Sequence, residues 1–125
     1  MEHILRQGMN NLIDSALELA LTVHKNQVDK NGKPYILHTL SVASYGENDI
    51  EIVTGLLHDV VEDSGGVIYP EDLRIAGFPE EVVEAVDALT RRKAGDGKFS
   101  QSEKYWDYIK RLSKNPLATR IKLWD

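Results

Sequence analysis

Three observations predict an all-α fold for this 125-residue chain. Apolar residues recur at three- and four-residue spacing along several segments, Gly and Pro fall where helices would end or start, and little in the pattern alternates as a half-buried strand would. The expectation is one domain over residues 1–125, a helical globule of about six or seven helices around one core.

Residues 1–8 read as a short lead-in. A first helix over residues 10–26 follows, with Leu12, Ile13, Ala16, Leu17, Ala20, Leu21 and Val23 on one stripe. Asn10 or Asn11 is its expected cap, and Asp14 suits the first turn of the helix dipole. The loop Asp29-Lys30-Asn31-Gly32-Lys33-Pro34 has turn chemistry. Its two lysines suit an anion at a pocket mouth about as well as plain solvent. Pro34 opens a second helix over 35–45, where His38 sits among Ile36, Leu37, Leu40, Val42 and Ala43, and Gly46 stops it.

Asn48 or Asp49 caps a central helix reaching 62 or 63, which Ser64-Gly65-Gly66 breaks. Pro70 opens a small helix ending near Gly77, and Pro79 starts another over 80–90 that buries Val82, Val83, Val86 and Leu89. After Arg91-Arg92-Lys93 and a Gly-containing loop over 94–98, Ser100 or Ser102 is the expected cap of the next helix. Its Tyr105, Trp106, Tyr108, Ile109 and Leu112 read as a core stripe rather than a base-stacking platform. Asn115-Pro116 begins the last segment, which ends in Trp124-Asp125.

Bulk properties narrow the function classes. A net charge of −5 argues against a broad nucleic-acid-binding surface. The absence of cysteine rules out disulfides and thiolate metal sites and suits a reducing cytoplasm. No apolar run approaches the roughly 20 residues that span a bilayer, and no signal-peptide core is visible, so membrane partners are not expected.

The chemistry concentrates in Thr54-Gly55-Leu56-Leu57-His58-Asp59-Val60-Val61-Glu62-Asp63, a histidine and three acids within an otherwise apolar helical segment. On a continuous helix His58 stacks over Glu62 and Asp59 over Asp63. Carboxylates on so apolar a helix need a cation or hydrogen-bond donors to offset their desolvation. A lone His-Asp dipeptide is ordinarily a solvated pair, but further candidate ligands occur elsewhere in the chain. His38, His58, Asp59 and Asp125 make an N2O2 set that suits Mn2+, Fe2+, Co2+ or Zn2+ better than a Ca2+ or Mg2+ cage. Glu62 and Asp63 would then orient or deprotonate a water.

The residues His24-x-x-Gln27, Gly32-x-Pro34-Tyr35-Ile36-x-His38, Leu56-Leu57-His58-Asp59-Val60-Val61-Glu62-Asp63, Leu89-Thr90 and Ile121-Lys122-Leu123-Trp124-Asp125, in that order, resemble the HD-domain metal-dependent phosphohydrolases. Among these they are most similar to the guanosine tetraphosphate hydrolase domain of RelA/SpoT proteins and their small stand-alone relatives, over roughly residues 10–125. The resemblance implies an HD-type helical fold and His38, His58, Asp59 and Asp125 as ligands, usually of Mn2+. It implies Glu62 and Asp63 as the acidic pair activating water, and Lys30 and Lys93 as substrate contacts. The implied reaction is hydrolysis of the 3′-pyrophosphate of (p)ppGpp to GDP or GTP and pyrophosphate. His24 and Gln27 read as support for the loop and pocket.

Two departures bear on the substrate. Asp29 stands where the family has an arginine, before Lys30, and an acid there repels a phosphate-rich ligand. The sequence also stops at Asp125, where the family continues with an asparagine and a further helix that helps hold the base. Either the chain is C-terminally truncated or its purine pocket is incomplete. Hydrolysis of another nucleotide or phosphate ester, and a non-catalytic nucleotide-binding regulatory domain, are the alternatives. Oligomeric state is not legible.

Overall fold

In the computed structural model residues 2–95 and 101–125 are described, with side chains described from Leu12 onward. The expected all-α fold is present as eight helical segments among these residues. They are α1 (Glu2–Val23), α2 (Ile36–Ser44), α3 (Asp49–Leu57), α4 (Val60–Asp63), α5 (Pro70–Ile75), α6 (Glu80–Leu89), α7 (Tyr105–Leu112) and α8 (Pro116–Trp124). An antiparallel bridge, Val28 with Pro34, pins the loop between α1 and α2.

α3 is the central element, packing against α1, α2, α6 and α8. Its sequence explains why. Asn48 is extended and its side chain accepts from Glu51 N at 2.9 Å, satisfying an orphan amide of the first turn. Beyond the cap Val53, Leu56 and Leu57 are buried, and Val60 of α4 joins them. Each such side chain contributes about 1.5–3 kcal/mol on burial. Ala16 and Ala20 of α1, Leu73 of α5 and Val82, Val83 and Val86 of α6 complete this core. A second cluster joins Val42 of α2 to Leu89 of α6, Tyr108 and Leu112 of α7 and Ala118 and Ile121 of α8.

α2 lies against α3 at a crossing that only glycine permits. A Cβ on Gly55 would sit 2.9 Å from Ala43 Cα and 3.2 Å from Ala43 N, both main-chain atoms of α2. α8 is fastened at two points. Arg120 reaches Glu51 and Glu47, each at 3.3 Å, and the Trp124 ring stacks on Tyr45 with centroids 6.0 Å apart. Asn115 caps α8 by accepting from Ala118 N at 2.9 Å. These contacts bring the end of α8 to α2.

Several expectations need correction. α1 begins at Glu2, so Asn10 and Asn11 lie inside it rather than at a cap. The central helix is not continuous: residues 58 and 59 form a turn between α3 and α4. Asp59 has φ −111° and ψ 2°, so the stacking of His58 over Glu62 expected of an unbroken helix does not hold, although Asp63 N still donates to Asp59 O at 2.9 Å. On α7 only Tyr108 and Leu112 are fully buried, while Tyr105 is 52% and Trp106 73% exposed. α7 begins at Tyr105, beyond Ser102, whose hydroxyl accepts from Ala94 N instead. Ser100 and residues 96–98 of the expected loop lie outside the described residues.

Candidate metal and acid cluster

Four side chains from three parts of the chain converge. His38 comes from α2, His58 and Asp59 from the turn after α3, and Asp125 from the end of α8. One ligand atom from each lies within 4.8 Å of all the others. His38 Nε2 is 2.7 Å from Asp125 Oδ1, and His58 Nε2 is 2.9 Å from Asp59 Oδ2 and 3.5 Å from Asp125 Oδ1. The two imidazole rings stand edge to face, their centroids 5.7 Å apart.

The surroundings fix how each donor points. His58 Nδ1 donates to Gly55 O at 2.6 Å, which leaves Nε2 as the nitrogen facing the carboxylates. That Nε2 is buried and has no hydrogen-bond partner despite its short approach to Asp59. An orphaned imidazole nitrogen aimed at two carboxylates is the donor geometry a divalent cation satisfies. The Tyr35 hydroxyl donates to Asp59 Oδ2, and Lys122 Nζ lies 3.3 Å from Asp125 Oδ2.

Electrostatics agree with this reading. Burial disfavours a charged His58, yet the facing Asp125 and Asp59 carboxylates outweigh it and push the imidazole up to about 10. Asp125 is held far below the usual carboxylate range chiefly by the facing His58 imidazole, against the opposing effect of burial and with further help from His38. Asp59 is also lowered: burial opposes its ionisation, but His58 and Tyr35 prevail. For Tyr35, burial and the bond to Asp59 raise the phenol, keeping it a donor. The cluster therefore gathers negative charge and stabilises any positive charge placed among it. Its residues fit a divalent ion, and His38, His58, Asp59 and Asp125 could hold one.

Glu62 and Asp63 lie on α4, each held by a donor. Arg91 N donates to Glu62 Oε1 at 2.9 Å, and Gln27 Nε2 to Asp63 Oδ2 at 3.1 Å. His24 Nδ1 lies 2.8 Å from Gln27 Oε1, completing a chain from a buried imidazole to the Asp63 carboxylate. Burial raises Glu62 from its ordinary value, against the Arg91 bond and the charge of Lys93.

Lys30 is exposed in a loop whose ends, Gln27 and Tyr35, bond Asp63 and Asp59. Lys93 is exposed within electrostatic reach of Glu62. Asp29 Oδ1 accepts from Asn31 N at 2.8 Å and Lys33 N at 3.0 Å, so its carboxylate is turned into its own loop. Tyr35 went unassigned from sequence, although its place three residues before His38 on the same helical approach was the available signal. The Arg91 contact is made by a main-chain amide and left no signal in side-chain identity.

Residues 16–120 match the family described as HD domain. The chain is 36% identical over 118 residues to a GTP pyrophosphokinase of Streptomyces coelicolor, covering 90% of this chain and 14% of that protein. It is 32% identical over 117 residues to the guanosine-3′,5′-bis(diphosphate) 3′-pyrophosphohydrolase of Aquifex aeolicus, covering 90% of this chain and 16% of that protein. To the bifunctional (p)ppGpp synthase/hydrolase SpoT of Escherichia coli it is 31% identical over 111 residues, covering 86% of this chain and 16% of that protein. The chain thus spans about one sixth of the length of these relatives, and their names divide between synthesis and hydrolysis. With four candidate ligands gathered in an all-helical frame, the chain belongs to the HD-domain family and is RelA/SpoT-like within it.

Proposed function

We propose that this chain is a metal-dependent phosphohydrolase that removes the 3′-pyrophosphate of (p)ppGpp, leaving GDP or GTP and pyrophosphate. The observation that carries the reading is the convergence of His38, His58, Asp59 and Asp125 within 4.8 Å beside two separately anchored acids. A divalent ion held by those four, with Mn2+ the first choice, would acidify a water and brace a phosphoryl oxygen as charge develops.

The chain's own residues supply the rest. Glu62, raised by burial toward the working pH, accepts a proton from the attacking water. Asp63, fixed by Gln27, orients that water. Tyr35 holds the Asp59 carboxylate in place through its hydroxyl. Lys30 and Lys93 contribute positive charge toward a phosphate-rich substrate from the loop before α2 and the segment after α6. The substrate is a small nucleotide and the setting cytoplasmic, with the chain acting as one HD unit. Among the described residues no helix is long and apolar enough to cross a membrane.

A second reading keeps the chemistry and changes the substrate to another nucleotide or phosphate ester. Asp29, an acid beside Lys30, favours it, although the loop amides offset part of that charge. Incubation with Mn2+ and ppGpp, set against ordinary nucleotides and phosphate esters, separates the two by the bond that is cut. Pyrophosphate release from ppGpp is expected, and no turnover across the whole panel removes the enzyme reading. Glu62→Gln with Asp63→Asn should lose turnover but keep metal, while His58→Ala should lose both.

A further inference from the structure

The segment after α6 is held by side chains that are not members of the candidate ligand cluster. Arg111 of α7 grips Glu103 with its fork, Nε to Oε2 at 3.0 Å and Nη2 to Oε1 at 2.9 Å. The same guanidinium donates to Thr90 O at 2.8 Å and to Asp87 O at 3.2 Å. Glu103 is tied to the segment in return. Its amide donates to Arg92 O at 2.8 Å, its Oε1 accepts from Arg92 N at 3.2 Å, and its carbonyl accepts from Arg91 Nε at 2.9 Å. Tyr108, one turn before Arg111, donates from its hydroxyl to Leu89 O at 2.7 Å. Leu89, Thr90 and Arg92 are thereby fastened at their main chain, and Arg91 between them through its side chain.

This clasp ends on the candidate site. The middle of the fastened segment offers Arg91 N to Glu62 Oε1. The donor is a main-chain amide, so its position follows the backbone of 90–92 and not the identity of side chain 91. The Glu103 and Arg111 side chains are mostly buried, 12% and 21% exposed, so solvent screens the pair little. A bidentate, main-chain-anchored ion pair is stiffer than an isolated surface pair.

We propose that Glu103 and Arg111 are positioning residues that set the orientation of Glu62 through the Arg91 amide. The inference rests on the water-activating role proposed for Glu62. A merely structural clasp between α6 and α7 would affect stability and leave Glu62 where it is.

The test compares Arg111→Met, Arg111→Lys and Glu62→Ala with the wild-type chain in three measurements. Hydrogen exchange of the Arg91 amide, followed by NMR in metal-loaded protein without substrate, should quicken about tenfold or more in Arg111→Met and Glu62→Ala while core amides such as Val86 keep their rates. Mn2+ affinity of the Arg111 variants by calorimetry should stay within about twofold of wild type. Steady-state pyrophosphate release should show kcat down about tenfold with KM nearly unchanged, as expected when a reacting group is misplaced rather than removed. Arg111→Lys keeps the charge without the fork, should fold if Arg111→Met does not, and should show the same pattern more weakly. Unchanged Arg91 exchange in both Arg111 variants would overturn the inference, as would faster exchange with unaltered kcat. If the wild-type chain has no turnover, the hydrolase reading fails, and the exchange arm still decides whether the clasp holds the Arg91–Glu62 contact.

Discussion

Gly55→Ala tests the claim that the close crossing of α2 and α3 is what brings His38 and His58 together. The added Cβ meets Ala43 Cα at 2.9 Å, Ala43 N at 3.2 Å and Ala43 Cβ at 3.4 Å. The first two are main-chain atoms, so no side-chain rotation relieves the contact and α2 must move as a body. Overpacking of this kind costs about 1–3 kcal/mol, and main-chain contact argues for the upper part of that range. Replacing a mid-helix glycine by alanine returns about 1 kcal/mol through backbone entropy. The net destabilisation is therefore about 1–2 kcal/mol, or roughly 3–10 °C in Tm for a chain of this size. The displacement matters more than the energy, because α2 carries His38 and Gly55 O orients His58. Calorimetric titration with Mn2+ should show affinity weakened at least tenfold, the size of effect expected when a ligand's support is disturbed. A Gly55→Ala chain as stable as wild type, with undiminished metal affinity, would mean that the two helices do not approach as closely as described.

Tyr35→Phe removes the hydroxyl that holds Asp59, and metal affinity should fall about 10- to 100-fold with little change in the Tm of metal-free protein. Chelator added to protein carrying metal at a hundred times its Kd should remove about 2.7 kcal/mol of stability, seen as a drop in Tm that His38→Ala protein does not share. Glu103 is held below its ordinary value of 4.5 by Arg111, against a smaller effect of burial. A lowered carboxyl contributes stability above the unfolded value and loses it as pH falls through the folded one. The stability gap between wild type and Glu103→Gln, measured by urea unfolding, should therefore be constant above about pH 5 and close below about pH 4. A gap that widens in acid would contradict the Arg111 assignment.

The helices were legible where one face had to be buried. Val82, Val83, Val86 and Leu89 repeat at helical spacing and are buried on α6, and Asn48 caps α3 as its place before an apolar run implies. Legibility failed where tertiary contacts override local preference. Tyr105 and Trp106 share the spacing of Tyr108 and Leu112, but the second core cluster takes in Tyr108 and Leu112 and leaves Tyr105 and Trp106 exposed. The turn at His58 and Asp59 was hidden for the opposite reason. Leu56, Leu57, Val60 and Val61 continue the apolar pattern across it, and nothing in side-chain identity announces a change in backbone direction.

That turn shows why the candidate ligand types were readable and their support was not. Metal-binding chemistry draws on imidazole and carboxylate groups, so His38, His58 and Asp59 were candidates by type once several such groups occurred along the chain. Their orientation depends on atoms every residue possesses. Gly55 O receives His58 Nδ1, and Arg91 N reaches Glu62. The bend after α3 separates the two uses of one short stretch. His58 stays with the end of α3, facing His38 across the Gly55 crossing, while α4 carries Glu62 and Asp63 to donors on quite different parts of the chain. On an unbroken helix Glu62 would lie directly over His58, and its carboxylate would compete for the same cation. With the helix broken at Asp59, Glu62 stands outside the candidate four-residue cluster, where its carboxylate is available for the proton transfer proposed for it.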